Sequence, residues 1–268
     1  MKYKKKKKIE LENLDSEIAK FDNNNKRYYI KNKEKIIKQV TSLIKAAKKE
    51  VLPIYGELDV DLIETQSRSE LENMLSRLPY VGGDKAPFTP LMIQSALTIA
   101  LYKVIKPLNW SDRDIGKLIY EIAESHAQSI SSIKKRLYRK AIFSKKMKNY
   151  WREWFKKSQK REYPENWVGN FIEGDGKDFD YGFDFIECGW LKLIQNEGAE
   201  DIAPYACLCD YARMQAFGIG FKRTKTIATG AEICDFRFIR NYQTQRGWPP
   251  ENLEENKTSR AEEIFRKK

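Results

Sequence analysis

Residues 90–105, PLMIQSALTIALYKVI, constrain the fold more than any other stretch of this chain. Leu91, Ala96, Ile99 and Tyr102 recur at steps of three to five residues, the spacing of a helix face, and the polar positions among them are few. A helix that is apolar on nearly every side has to be enclosed on nearly every side. It is therefore expected at the centre of the body, ending before Pro107. The neighbouring stretches suit the task of covering it: a basic amphipathic pattern over 32–50, a helical pattern over 58–78, and a long helical pattern from Ser111 to about residue 140 with a break near Phe143. Ser111 with Asp114 three positions on is an N-terminal signature, a hydroxyl ready to accept from a free backbone N–H beside an acid in the first turn.

The pattern changes near Pro164, after which the signals shorten and strands appear. YGFDFIEC (181–188) reads as a strand that runs into a helix starting near Gly189 and stopping at Gly198. Pro204 suits the first turn of a further helix ending at Gly218, with Gly220 opening the next strand. Lys222–Ala228 and Glu232–Arg240 are rich in Thr, Ile and Phe, and Thr229-Gly230-Ala231 between them reads as a hairpin loop. The expected fold is α+β: a helical N-terminal half packed on a small C-terminal α/β module that ends in an antiparallel β-hairpin. The segments are a basic tail over 1–30, a helical region over 31–163, the α/β module over 164–245 and a polar tail over 246–268.

The 268 residues, 41% of them hydrophobic, are enough for a buried core. No apolar run approaches the roughly 18 residues of a spanning helix, and the lysine-rich start lacks the apolar segment of a signal peptide, so a cytoplasmic protein is expected. Four cysteines in a reducing compartment are thiols: nucleophile, ligand or core candidates rather than a disulfide framework.

The net charge of +12 has one source. Between Lys134 and Arg161 stand 13 basic residues and a single acid, Glu153, which leaves 37 of each sign elsewhere. Aromatic residues interleave with these lysines, and Met147, Tyr150, Trp151, Trp154 and Phe155 form one helical stripe. Such a stripe packs on its own domain with the lysines solvated opposite, or it lies on an anionic membrane surface. Nucleic acid is disfavoured, because no helix-turn-helix, zinc-finger or RNA-binding signature accompanies the charge. The apolar helix at 90–105 would also serve a homodimer.

Chemistry concentrates in 202–238, which holds three of the four cysteines. On the last strand, alternation sets Cys234, Phe236 and Phe238 on one face and Asp235 and Arg237 on the other. On the preceding helix Cys207, Asp210, Tyr211 and Met214 share a side, while Cys209 is rotated away. Cys207 is thus expected to face Cys234, with Cys188 joining from upstream and Cys209 dropping out.

Pro204-Tyr205-x-Cys207-x-x-Asp210, Gly218-x-Gly220, Arg223-Thr224-Lys225-Thr226 and Cys234-Asp235-Phe236-Arg237-Phe238, preceded by Glu187-Cys188, resemble the L-2-amino-thiazoline-4-carboxylic acid hydrolase family in order and spacing. The likeness spans about 165–240, with support from Leu78-Pro79-Tyr80-Val81-Gly82-Gly83. It implies a hydrolase acting on a small cyclic amidine: water adds to the carbon between sulfur and two nitrogens, and the thiazoline ring opens to a carbamoyl cysteine. Cys207, Cys234 and Cys188 become candidate nucleophiles, with Asp210 and Glu187 as carboxylate assistance. Arg223, Thr224, Asp235, Arg237 and Tyr211 become candidate substrate contacts, an arginine offering a planar fork to the substrate carboxylate and carboxylates offering one to the amidinium. No cofactor is implied. Zinc is the rival, held by Cys188, Cys207 and Cys234 with Asp210 or the single histidine, His126. A more distant similarity of Ala228-Thr229-Gly230 and Cys234-x-Phe236 to vinyl-4-reductase-type domains supports a second class of function, a non-catalytic small-molecule-binding module. The plain alternatives are buried core thiols and, for Asp235 with Arg237, a surface ion pair.

Overall fold

The computed structural model describes residues 27–56 and 59–266. The basic tail expected over 1–30 lies outside them except for its last four residues, of which Tyr29 is fully buried and donates to the Pro79 carbonyl at 2.8 Å.

Among the described residues, six α-helices of eleven residues or more precede the sheet. α1 (Lys33–Ala46) passes through a π-helical turn, Ala47–Val51, into a short 3₁₀ turn. α2 (Val60–Met74) starts at Asp59, whose side chain accepts from the Leu62 N–H at 3.0 Å. α3 (Thr89–Ile105) is the apolar helix, and α4 (Asp112–Ser129) begins at Ser111, which accepts from the Asp114 N–H as its sequence signature required. The long pattern expected to run unbroken to about residue 140 is split: Ile130 is extended, and Ser131 caps a separate α5 (Ser132–Ile142). Phe143 does end α5, and Ser144 caps α6 (Lys145–Ser158). A serine side chain offers the backbone an alternative to the helical hydrogen bond, so three serines punctuate what periodicity alone joins.

α3 is central. Met92, Ile93, Ala96, Ile99, Ala100 and Ile105 are buried against α2 and α4, whereas Leu91, Leu97 and Leu101 on another face are only half-buried. Residues 89–108 are long and apolar enough to cross a bilayer by length and composition, which the sequence reading did not register. Here one face belongs to the core, and the second lines a cavity described below.

β1 (Val168–Glu173), β2 (Tyr181–Glu187), β3 (Gly220–Lys222) and β4 (Cys234–Ile239) form one antiparallel sheet in the order β1-β2-β4-β3. Between β2 and β3 lie α7 (Gly189–Asn196), the short α8 (Ala203–Ala206) and α9 (Cys209–Phe217), the last closed by Gly218 at φ 64°, a left-handed conformation that suits glycine. The fold is α+β, as expected, but the hairpin differs. β3 stops at Lys222, a 3₁₀ turn occupies Ile227–Thr229, and the connection bulges outward, because the Asp235 carboxylate draws three donors of residues 224 and 225 onto itself.

Register fixes what the sheet shows to the helices. Tyr181, Phe183 and Phe185 of β2 stand opposite Phe238, Phe236 and Cys234 of β4, and directly paired residues share a face. Phe183 packs on Trp151 and Phe155 of α6 at ring distances of 5.1 and 4.7 Å. Trp151 and Phe155 of the basic segment's stripe therefore cover this sheet and Trp154 packs on Phe88, while Tyr150 stays exposed beside most of the lysines.

Residues 246–266, expected as a polar tail, are folded against the body. Leu253, Glu255, Asn256, Ala261 and Phe265 are buried, α10 (Ser259–Arg266) carries the last two residues named, and Phe265 meets Tyr205 of α8 edge-on at 5.2 Å. The apolar positions here are too widely spaced among charges to register as periodicity.

Candidate active site

Between the helical layer and the aromatic face of the sheet lies a cavity of about 470 Å³. Hydrocarbon forms most of its wall: Leu43 and Ile44 of α1, Ile63 of α2, Leu91, Leu97 and Leu101 of α3, Trp151 of α6 and Phe183 and Phe185 of β2. One polar group of the lining gathers around α8, α9 and β4, where Cys188, Cys207, Cys209, Cys234, Asp210, Arg213 and Arg223 border the same space; the helical side adds Lys48, Glu64, Ser67, Gln94, Ser95 and Thr98.

Arg223 anchors that polar end. Its side chain is 1% exposed, and its guanidinium donates to both Glu255 carboxylate oxygens, to Asp210 Oδ2 at 3.0 Å and to the Cys207 carbonyl at 3.1 Å. The rings of Tyr211 and Phe236 lie 5.4 and 5.1 Å from the guanidinium carbon, adding cation–π attraction in a dry setting. Glu255 is as buried as its partner. A buried arginine needs this because an unpaired charge taken out of water costs several kcal/mol, and here two carboxylates meet it.

Three of the thiols feel one another. Cys207 is within electrostatic reach of Cys188 and Cys234, and Asp210 acts on Cys188, Cys207 and Cys209. Burial pushes Cys188 and Cys209 up to about 12 and Cys207 and Cys234 above the usual thiol range, with the Arg223 charge working in the opposite direction on the last two. Cys234 Sγ also accepts from the Ile227 N–H at 3.2 Å. Burial thus favours the neutral thiol at all four near neutral pH, with one buried guanidinium placed to stabilise a thiolate at Cys207 or Cys234.

The model of the L-2-amino-thiazoline-4-carboxylic acid hydrolase family matches residues 91–238, which run from the cavity wall on α3 to the end of β4. The chain belongs to this family. Neither the curated proteins nor the solved structures contain a match to it.

In this family member the residues expected at the site divide into two groups. Cys188, Cys207, Cys234, Asp210 and Arg223 border the cavity. Glu187, Thr224, Asp235, Arg237 and Tyr211 are not among its lining residues. Glu187 is paired with Arg161 at 2.7 Å and with Lys192. Asp235 accepts from the Thr224 N–H at 2.8 Å, the Thr224 hydroxyl at 2.6 Å and the Lys225 N–H at 2.6 Å, and so shapes the loop rather than facing the cavity. Arg237, on that same outer face of β4, donates to Asp184 at 2.7 Å. Alternation along the strand separates both from Cys234, as the pleat requires. Tyr211 lies under Arg223 and donates its hydroxyl to the Arg223 carbonyl at 3.3 Å.

Cys209 corrects the sequence reading. It borders the cavity because the helix expected from Pro204 to Gly218 breaks at Cys207–Leu208, and α9 restarts at Cys209 with its own phase. The same restart brings in Arg213, four residues on from Cys209 and three from Asp210, which donates to Gln94 Oε1 of α3 at 2.8 Å. That i, i+3, i+4 spacing was readable in sequence once the helix start was known. Glu255 had no readable signal, being supplied from 32 residues beyond Arg223. For the zinc alternative, no group of three metal-ligating side chains among the described residues is arranged to hold an ion. His126, on α4, is not part of the cavity lining; burial and the Arg213 charge both lower its pKa.

Proposed function

We propose that this chain is a hydrolase of small cyclic amidines of the thiazoline type, working at the polar end of the cavity. The observation that carries the reading is the convergence of three thiols with the Asp210–Arg223–Glu255 cluster, inside a segment matched by the hydrolase family model. The Asp210 oxygen that Arg223 leaves unbonded is available to an amidinium, which is planar and cationic. A thiol then adds to the amidine carbon, passing its proton to a carboxylate or to the substrate's ring nitrogen, with Arg223 favouring the developing thiolate at Cys207. Ring opening leaves an adduct on sulfur, and water attacks it to restore the thiol and release the carbamoyl product. Expulsion of ring nitrogen gives S-carbamoyl cysteine, and expulsion of ring sulfur gives N-carbamoyl cysteine, each with net uptake of one water.

A second reading is a non-catalytic binding module, and the raised pKa values of all four thiols favour it, since neutral thiols are poor nucleophiles. Incubation of the full chain with 2-amino-thiazoline-4-carboxylate, followed by mass spectrometry, separates the two. The hydrolase reading expects a product heavier by one water, lost in Cys207→Ala and sharply reduced in Asp210→Asn. Binding without turnover at neutral and alkaline pH would sink it in favour of the module. Full turnover in Cys207→Ala, Cys188→Ala and Cys234→Ala would remove the thiol from the mechanism.

A further inference from the structure

Arg213 stands apart from every other arginine of the site. It is half-buried on the cavity wall, and among the described residues its side chain donates to a neutral amide, Gln94 Oε1, at 2.8 Å. Among the described residues no carboxylate pairs with it, whereas Arg223, ten residues on, holds two. Its charge reaches Cys209, Tyr138 and His126, so it stands in a poorly solvated setting where an anion would be attracted strongly. Asp210 lies one turn away on the same helix face, at the 5–6 Å separation of i, i+3 neighbours. The pair offers one anionic and one cationic contact to a zwitterionic head.

The cavity is larger than such a head needs. Even at the roughly 30 Å³ that a whole water takes up in the liquid, the nine heavy atoms of 2-amino-thiazoline-4-carboxylate would fill about 270 Å³, against a cavity of about 470 Å³. The excess space is bounded mainly by hydrocarbon, broken by Ser67, Ser95 and Thr98 and by Lys48, whose charge is already met by Glu64 at 3.0 Å. From Gln94, which marks the Arg213 end, α3 continues through Leu97 to Leu101, about 10 Å further along at 1.5 Å per residue. A helix in water does not keep a leucine face unpacked without a use for it, because each such side chain forgoes its burial energy.

We infer that the substrate of this site is an anionic amphiphile, whose carboxylate pairs with Arg213 and whose apolar part lies along the Leu97–Leu101 wall of α3. The word substrate rests on the hydrolase reading; the binding claim does not. Leu91 and the rings of Trp151 and Phe183 complete the apolar arm.

Calorimetric titration of the full chain with acetate, hexanoate, decanoate and decylamine tests it. Decanoate should bind on the order of a hundredfold tighter than hexanoate, as four buried methylenes require, and at least tenfold tighter than decylamine. Arg213→Gln should weaken decanoate by about tenfold or more while Arg213→Lys restores part of it, as expected for a charged hydrogen bond. Leu97→Trp, which fills the arm, should weaken decanoate. Affinity independent of chain length, equal binding of the amine, or an Arg213→Gln protein with native circular dichroism and unchanged decanoate affinity would each overturn the inference. The length series needs no variant, so a misfolded mutant cannot shelter the idea. Turnover of the thiazoline with no chain-length preference sinks this inference alone. Chain-length-dependent carboxylate binding without turnover sinks the hydrolase reading alone.

Discussion

Glu255→Ala should destabilise the whole protein although residue 255 lies outside the family match. Both members of the Arg223–Glu255 pair have side chains 1% exposed, so removing the carboxylate strands a guanidinium that water cannot reach. Breaking a buried pair in this way costs about 3–5 kcal/mol. Arg223 keeps Asp210 at 3.0 Å and the Cys207 carbonyl, which argues for the lower end of that range. For a chain of this size, about 3 kcal/mol corresponds to a fall in Tm of roughly 6–12 °C, measurable by calorimetry or by thermal melts followed by circular dichroism. The control is the double variant Arg223→Met with Glu255→Leu. Once both charges are gone nothing is stranded, so its stability should return close to that of the parent while the polar end of the cavity is lost. The reasoning fails if Glu255→Ala melts within about 2 °C of the parent, or if the double variant is as unstable as the two single variants added together.

Four further outcomes follow from other contacts. Iodoacetamide at neutral pH should modify native Cys188 and Cys209 about a thousandfold more slowly than their urea-unfolded counterparts, because burial holds both at about 12 against roughly 8.5 in an open chain; mass spectrometry of each peptide reads this, and rapid native labelling of either would contradict it. The sign of the linkage is alkaline: a thiol raised in the folded state stabilises below the unfolded value and loses that contribution as pH climbs from about 8.5 towards 12, so urea midpoints should drop over that window, apart from a separate decline below about 6.5 from the lowered pKa of His126. Asp235→Ala removes the acceptor for three donors of Thr224 and Lys225 and should cost about 3 kcal/mol, with new protease cleavage in 223–233 as its signature. Gly116→Ala puts a Cβ 2.5 Å from Tyr205, where α8 crosses α4, and should cost about 1–3 kcal/mol by overpacking, seen as a lower urea midpoint.

Much of this molecule was legible in its sequence where the signal was local. Serine caps, glycine stops and the apolar run of α3 each act within one or two turns of backbone, so α3, α7, β2 and the start of α4 stand close to where spacing puts them. Alternation on β4 correctly separated Cys234 from Asp235 and Arg237, because the pleat leaves no choice. The family likeness, carried by short motifs in order, led to Cys188, Cys207, Cys234, Asp210 and Arg223 at one cavity.

The tertiary structure alone decided the rest. Nothing near Arg223 in sequence says that Glu255 will saturate it, and so Arg223 read as a substrate contact when its donors are spent on holding a buried pair together. The helix break at Cys207–Leu208 carries no glycine or proline at that point, yet it turns Cys209 and Arg213 into the cavity. The widened loop before β4 exists because one carboxylate gathers three donors, an arrangement that strand propensity cannot register. Local chemistry written along the chain determined the elements and the reactive residue types. Which of those residues face the same few hundred cubic ångströms was settled by packing, since burial and charge pairing join positions that sequence keeps far apart.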